Sequence, residues 1–480
     1  MTTSDEQRRR RLTRTPPRWA TVAALAFTGL CSSFMFTLVV PLQAELPALL
    51  DASREDTSWV VTITLLVSAA VTPIAGRLGD MYGKRRVVLV LLCILILGSL
   101  IAGFSSSVPG ILLGRGLQGA SMGVVPLGIA ILRDVLPPER LATAVALMSA
   151  TMGVGGAVGM PLAAYLAQHA DFHALFWLSA GLGAAGIVFV VLAVPGDVLL
   201  FPGRLDVLGA IGLALGMTGL LLFLSRGAEW GWASVAALAC GIGGVVVLVL
   251  WGWYQLRVKG PLLDLRVAAR PAVLLTNLAS LCMGFALFAS NVTFPQMLEL
   301  PVESGSGFGL DMVGAAFVIM PAGLVMMVLA PISGWLERTI GARRLFTIGT
   351  AAIVLAYAFV LIWGSEAWHI FVANLLVGVG IGFTFAAMPM IIMRSVPATE
   401  TGASNGLNAL FRSVGTATAA AVMGGVLAAV TVEFEGVAVP SRQAFELSFW
   451  LAIVVGVIAF VLSLLIPRQP AAEPRPSLPS

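Results

Sequence analysis

Long apolar runs, broken by short stretches rich in charge, Pro or Gly, make up almost all of this 480-residue chain. About 20 consecutive apolar residues span a bilayer as a helix rising 1.5 Å per residue. The pattern therefore predicts fourteen membrane-spanning helices, near 19–46, 57–77, 85–106, 109–132, 142–167, 172–194, 205–225, 233–255, 272–297, 311–334, 344–364, 368–393, 403–430 and 445–466. The expected fold class is an all-α polytopic membrane protein.

Composition narrows the function classes. Hydrophobic residues are 58% of the chain and charged residues 11%, against about 45–50% and about 25% in soluble domains. An ordinary soluble protein and a disordered chain are both excluded. A net charge of +4 would suggest a nucleic-acid partner in a soluble protein. Here the basic residues follow topology instead. With both termini inside, 23 of the 28 Lys and Arg fall on inner segments, the side on which such residues are retained. Arg54, Arg226 and Arg442 fall outside, and Arg115 and Arg412 fall within spans. The expected location is the cell membrane, with multiple passes and both ends cytoplasmic. The arginines from Arg8 to Arg18 resemble a signal-peptide start, but the following apolar run is long and lacks a small-residue cleavage site, so it reads as a retained first span. Cys31, Cys93, Cys240 and Cys282 all lie in apolar runs, which argues against a disulfide framework or thiol metal site. No histidine has a partner at metal-ligand spacing, so no metal or other cofactor is expected.

The chain also repeats itself. Gly76 and Gly83, followed by Lys84, Arg85 and Arg86, recur as Gly334 and Gly341, followed by Arg343 and Arg344, at an offset of 258. Arg115, Gly119 and Gly123 align with Asn374, Gly378 and Gly382, and Gly156 with Gly415, at an offset of 259. This shift carries span 2 onto span 10, an advance of eight helices where two six-helix halves would advance six. Spans 7 and 8 thus read as an inserted pair in a 6+2+6 arrangement. The expected divisions are a basic tail at 1–18, six helices at 19–194, the pair at 205–255, six helices at 272–466 and a tail at 467–480. Parallel repeats of this kind suit transporters that rock about a midplane site.

The motifs resemble a known family. Gly76, Asp80, Gly83, Lys84 and Arg85 form a loop motif similar to that of the major facilitator superfamily, and Leu113 to Gly123 resembles its fourth-helix motif. Gly155, Gly159 and Pro161 resemble a degenerate fifth-helix antiporter motif. Asn405 to Gly415, Arg204 to Gly209 and Pro261 to Arg266 are similar to segments of the fourteen-span drug:proton antiporter branch. The resemblance covers nearly the whole chain. It implies export of small amphipathic compounds or drugs by alternating access, driven by a proton gradient, with a central cavity lined by spans 1, 4, 9 and 12. It implies neither enzyme activity nor a nucleic-acid partner, and a monomer is expected. An uptake permease of the same fold, and a pore or non-transporting sensor, are the alternatives. That branch commonly carries an Asp in the first helix, whereas residues 37–40 contain no acid.

Candidate residues follow from polarity at membrane depth. Arg115 sits about six residues into span 4, roughly 9 Å below the outer edge, where an ionisable group is a functional hypothesis by default. It either lines the path or bonds backbone carbonyls to hold helices in register. Asn405, Asn408, Arg412 and Thr416 share one helix face, lining an interior surface or joining helices. Gln43, Asn291 and Asn374 are polar positions expected to avoid lipid, and Phe34, Phe288, Phe385 and Met388 are expected apolar cavity walls. The family resemblance implies that Asp80 with the loop motif acts as a gate latch, and Gly155, Gly159 and Pro161 are expected to act as a hinge. Glu45, Asp311 and Glu299 are the proton-coupling candidates, because no acid lies deep within a span.

Overall fold

A computed structural model describes residues 17–39, 42, 46–169, 171–196 and 203–467. Among the described residues, fourteen helices are long and apolar enough to cross a membrane. They are α1 Arg18–Thr37, α2 Arg54–Tyr82, α3 Lys84–Phe104, α4 Val108–Val135, α5 Pro138–His169, α6 His173–Ala193 and α7 Val207–Trp230. There follow α8 Val235–Gln255, α9 Pro271–Glu299, α10 Met312–Ile340, α11 Ala342–Trp363, α12 Ala367–Ser395, α13 Thr401–Ala429 and α14 Arg442–Leu465. Every expected span has its helix, which an apolar solvent enforces: each backbone N–H and C=O must be satisfied within its own segment.

The boundaries carry corrections. The first span, expected to reach 46, ends as a helix at Thr37. Gln43 and Glu45 lie outside the described residues, as do 1–16, 197–202 and 468–480. Span 10 divides at Met320, where Pro321 opens its second part, Pro321–Ile340. Thr431–Phe434 (β1) and Val437–Pro440 (β2) form a small antiparallel hairpin between α13 and α14. Its two-residue turn, Glu435 and Gly436, has φ of 50° and 80°, the left-handed pair that tight hairpins require. Arg226, assigned to an outer connection, is instead inside α7 and buried.

The repeated glycines have a local cause. Gly83 separates α2 from α3 with φ 109°, and Gly341 separates α10 from α11 with φ 88°. A one-residue connection between helices needs a backbone that side chains with a Cβ avoid. Ser53, Asp206, Ser234, Asp311 and Ser441 cap the helices that follow them, each accepting a backbone N–H from the first turn.

Packing repeats as well. In the first six helices α1 packs on α5, α2 on α4, and α3 on α4 and α6. Shifted by eight, α9 packs on α13, α10 on α12, and α11 on α12 and α14. Between these sets two seams form, α2 with α13 and α5 with α10. The pair α7–α8 lies over one seam, since α7 touches both α2 and α13. Asp206 ties the pair together: it accepts from Tyr254 Oη at 3.0 Å and Gln255 Nε2 at 2.7 Å while capping Gly209. At the other end Arg226 donates to Ser58 of α2 at 2.6 Å, pairs with Glu229, and lies 4.3 Å over the Trp59 ring.

Candidate functional site

The connections α2–α3, α4–α5, α8–α9, α10–α11 and α12–α13, with their flanking turns, bring most of the described basic residues to one end of the molecule, the basic end. Both seams close there. On one, the last turns of α2 meet the first turn of α13. A Cβ on Gly76 would lie 2.3 Å from the Gly402 carbonyl oxygen, so the two backbones touch only because neither residue has a side chain. That approach brings Asp80, fully buried, against the N-terminus of α13. Its carboxylate accepts the Gly402 N–H at 3.2 Å and the Ala403 N–H at 3.0 Å. Helix N-termini present unpaired N–H groups and partial positive charge, so a carboxylate is the natural occupant. Lys84, also buried, sits 3.7 Å from Asp80 and 2.5 Å from Asp134 of α4. Arg133 crosses the same seam to Thr401 and to the Val396 carbonyl, and Arg85 donates to the Val191 carbonyl of α6 at 2.8 Å.

The second seam uses equivalent positions. A Cβ on Gly334 would lie 2.3 Å from Thr143 Oγ1 and 2.5 Å from its Cα. Thr143 and Gly402 differ by 259 positions, so the repeat relates the two contacts as well as the two motifs. Arg338, four residues after Gly334 as Asp80 follows Gly76, donates to the Glu139 carbonyl of α5 at 2.6 Å. Glu337 is buried and pairs with Arg394 of α12 at 2.5 Å. Sequence reasoning had not singled out Glu337, Arg394, Asp134 or Thr143. The repeat offset was the available signal for Thr143; the others have none, because their partners come from distant helices.

The glycines of α5 serve two neighbours. Gly155 and Gly159 face α1, where added Cβ atoms would lie 2.4 Å from Ser33 Cβ and 2.4 Å from Thr37 Oγ1. Gly153 faces α10, against Met326 and Gly323. Pro161 lies within the helix itself.

At mid-depth the structure separates candidates that sequence grouped together. Arg115 is 1% exposed and donates to the carbonyls of Met35 at 2.8 Å and Val60 at 3.4 Å, and to Gln118 Oε1 at 2.9 Å. Gln118 in turn donates to Ser99 at 2.9 Å. Arg115 thus joins α4 to α1 and α2 directly, and to α3 through Gln118, as the register-holding one of its two readings has it. Asn374 donates to the Ile319 carbonyl at 2.6 Å, and Asn408 to Asn277 Oδ1 at 3.1 Å. Both are buried and join helices rather than line open space. Phe34, Phe385 and Met388 are buried, Phe288 is half-buried and Asn291 is exposed on α9. Arg412 is half-buried with its guanidinium 4.9 Å over the Phe385 ring. Among the described residues no carboxylate pairs with Arg115 or Arg412, and every Asp and Glu lies toward a helix end or in a connection. Asp311 is exposed and caps α10 by accepting the Gly314 N–H at 3.0 Å, and Glu299 is exposed at the end of α9.

Comparison with known proteins adds four findings. A sequence model of the Major Facilitator Superfamily matches residues 25–420. The lincomycin resistance protein LmrB of Listeria monocytogenes is 24% identical, the match covering 92% of this chain and 95% of that protein. The multidrug transporter protein MdtP of Bacillus subtilis is 22% identical, over 85% of this chain and 74% of its own. The crystal structure of the human organic anion transporter MFSD10 (TETRAN) superposes with a TM-score of 0.65 at 16% identity, covering 93% of this chain and 100% of that one. At that identity the last likeness is one of fold alone.

Proposed function

The chain belongs to the Major Facilitator Superfamily, and from that premise we propose that it exports small amphipathic compounds from the cell by alternating access, coupled to inward proton movement. Family membership makes it a multi-pass membrane transporter of small molecules; direction, coupling ion and substrate are the proposed part. One observation carries the reading: both seams are closed at the basic end by repeat-related contacts, Gly76 with Gly402 and Gly334 with Thr143. Basic loops face the cytoplasm, so this arrangement corresponds to a cytoplasm-closed state. A transporter that rocks about its centre must break both contacts together to admit substrate from inside. The names of LmrB and MdtP, both associated with drug resistance or transport, support an amphipathic drug-like substrate.

Within this reading Asp80 is the latch, released when α13 moves away from α2. Gly155 and Gly159 let α5 pack closely on α1 within the first bundle, and Gly153 lets it approach α10 across the moving seam. Arg115 keeps the first bundle rigid while it moves, and Arg412 offers the cavity a cation not neutralised by any described acid. Glu45, at the outer end of the first span by sequence, is the proposed proton-carrying group. The test is efflux of a fluorescent drug from energised cells expressing the protein. Efflux should be saturable, and a protonophore should abolish it. Efflux unchanged after the gradient collapses would reject proton coupling, and flux that never saturates would reject alternating access.

A further inference from the structure

The two seams are unequal in their surroundings. Over α2 and α13 lies the α7–α8 pair, whereas beside α5 and α10 the surface hollows into a trough of about 650 Å³. Its floor is apolar, built from Val22, Ala26 and Leu30 of α1, Leu147 and Val154 of α5, and Met327 of α10. It opens outward. The opposite face of α1, with Thr21, Leu25, Thr28 and Ser32, is buried in the first bundle. Trp19 beside the mouth is 72% exposed, the interfacial position that Trp favours in membranes.

The trough has polarity along its length. From Arg18 to Leu30 is twelve residues of helix, about 18 Å at 1.5 Å per residue. One leaflet of a roughly 30 Å hydrocarbon core is about 15 Å deep, so an acyl chain laid along α1 fits. At the basic end stand Arg18, Arg140 and Arg338 with one acid, Glu139, an excess of two positive charges over the mouth of an apolar channel. Arg18 and Arg140 belong to the first bundle and Arg338 to the second, and Arg338 already spans the seam to the Glu139 carbonyl.

We infer that this trough binds one anionic phospholipid of the leaflet at the basic end, its phosphate among Arg18, Arg140 and Arg338 and an acyl chain against α1 and α5. The charge excess selects an anionic headgroup, and the guanidinium forks suit phosphate oxygens. Because its ligands come from both bundles, the lipid acts as a further tie across the uncovered seam and favours the closed basic end. Binding of the lipid does not depend on the direction or coupling of transport, so it can fail or succeed separately from the export reading.

The experiment is native mass spectrometry of the full-length protein in detergent, titrated with phosphatidylglycerol, with phosphatidylcholine of the same chains, and with inorganic phosphate. The wild type should retain one phosphatidylglycerol and no phosphatidylcholine. Arg18→Gln with Arg140→Gln, both at exposed positions, should weaken retention roughly 10- to 30-fold, from about 1 kcal/mol per basic residue at an anionic surface. Ala26→Trp, which fills the trough and leaves every charge in place, should abolish it. Equal retention of the two lipids, or retention of phosphatidylglycerol unchanged in both variants, would overturn the assignment. So would competition by inorganic phosphate alone, which marks a simple anion site, or displacement by a transported drug, which marks a substrate entry.

Discussion

Replacing Asp80 by Asn weakens the latch while changing one other contact, the 3.7 Å ion pair with Lys84. The side chain keeps its shape, and Lys84 keeps its partner Asp134 at 2.5 Å. The carboxylate now accepts two N–H groups, from Gly402 at 3.2 Å and Ala403 at 3.0 Å. An amide has one acceptor oxygen, so one of these bonds is lost and an NH2 is turned toward a backbone donor. A hydrogen bond involving a charged group is worth about 1.5–3 kcal/mol. The interaction exists only when α2 and α13 meet, so its loss falls on the closed state alone. Taking about 2 kcal/mol, the equilibrium moves roughly 30-fold, and a protein that was closed about 99:1 becomes about three-quarters closed. Arg86 and Arg344, exposed and in opposite bundles at the basic end, are positions for spin labels in a background without native cysteines. Pulsed electron resonance should then reveal a second, longer distance in Asp80→Asn that is nearly absent in the wild-type background. A single unchanged distance distribution would refute the latch and return Asp80 to a merely topogenic role.

Further outcomes follow from the same contacts. Gly76→Val puts a side chain where Gly402 leaves no room, so the protein should insert normally, measured by membrane yield, yet lose the closed distance and drug efflux entirely. Arg115→Ala should abolish transport with insertion intact and lower stability by about 2–4 kcal/mol in a thermal unfolding assay. Arg115→Lys should not rescue it, because an ammonium lacks the planar fork that reaches Met35, Val60 and Gln118 together; near-normal turnover in either variant would show the register contact to be dispensable. Arg226→Gln loses a cation–π contact and an ion pair whose acid is half exposed, a cost of about 1–2 kcal/mol. Hydrogen exchange in α7 should rise while efflux persists, and unchanged exchange would mean α7 is held by its apolar face. Arg412→Gln should reduce inhibition of efflux by anionic compounds more than by cationic ones, and equal effects would remove Arg412 from the cavity.

Much of this architecture is legible without coordinates because its causes are local. A bilayer requires about 20 apolar residues per crossing and satisfies backbone polarity only within a helix, so the number of helices appears directly as apolar runs. Gly83 and Gly341 betray the two tight helix connections because positive φ penalises every other residue type there. The repeat near 258 residues even anticipates which helices play corresponding roles. Ends are less legible: Thr37 closes α1 although apolar residues continue, since hydropathy measures compatibility with lipid rather than where a helix stops.

Tertiary structure alone decided which partners the polar residues meet. Arg115 bonds carbonyls of Met35 and Val60, 80 and 55 positions away; every residue has a carbonyl, so such a partner leaves no trace in the sequence. Asp80 likewise meets backbone N–H groups 322 and 323 positions on, while Asn374 and Asn408, chosen as cavity residues for their polarity, turn inward to join helices. The trough at Arg18 is a shape made by three helices from both bundles, and no segment encodes it by itself. Lipid compatibility and backbone geometry are properties of a short stretch of chain, whereas pairing and concavity exist only once distant stretches are brought side by side.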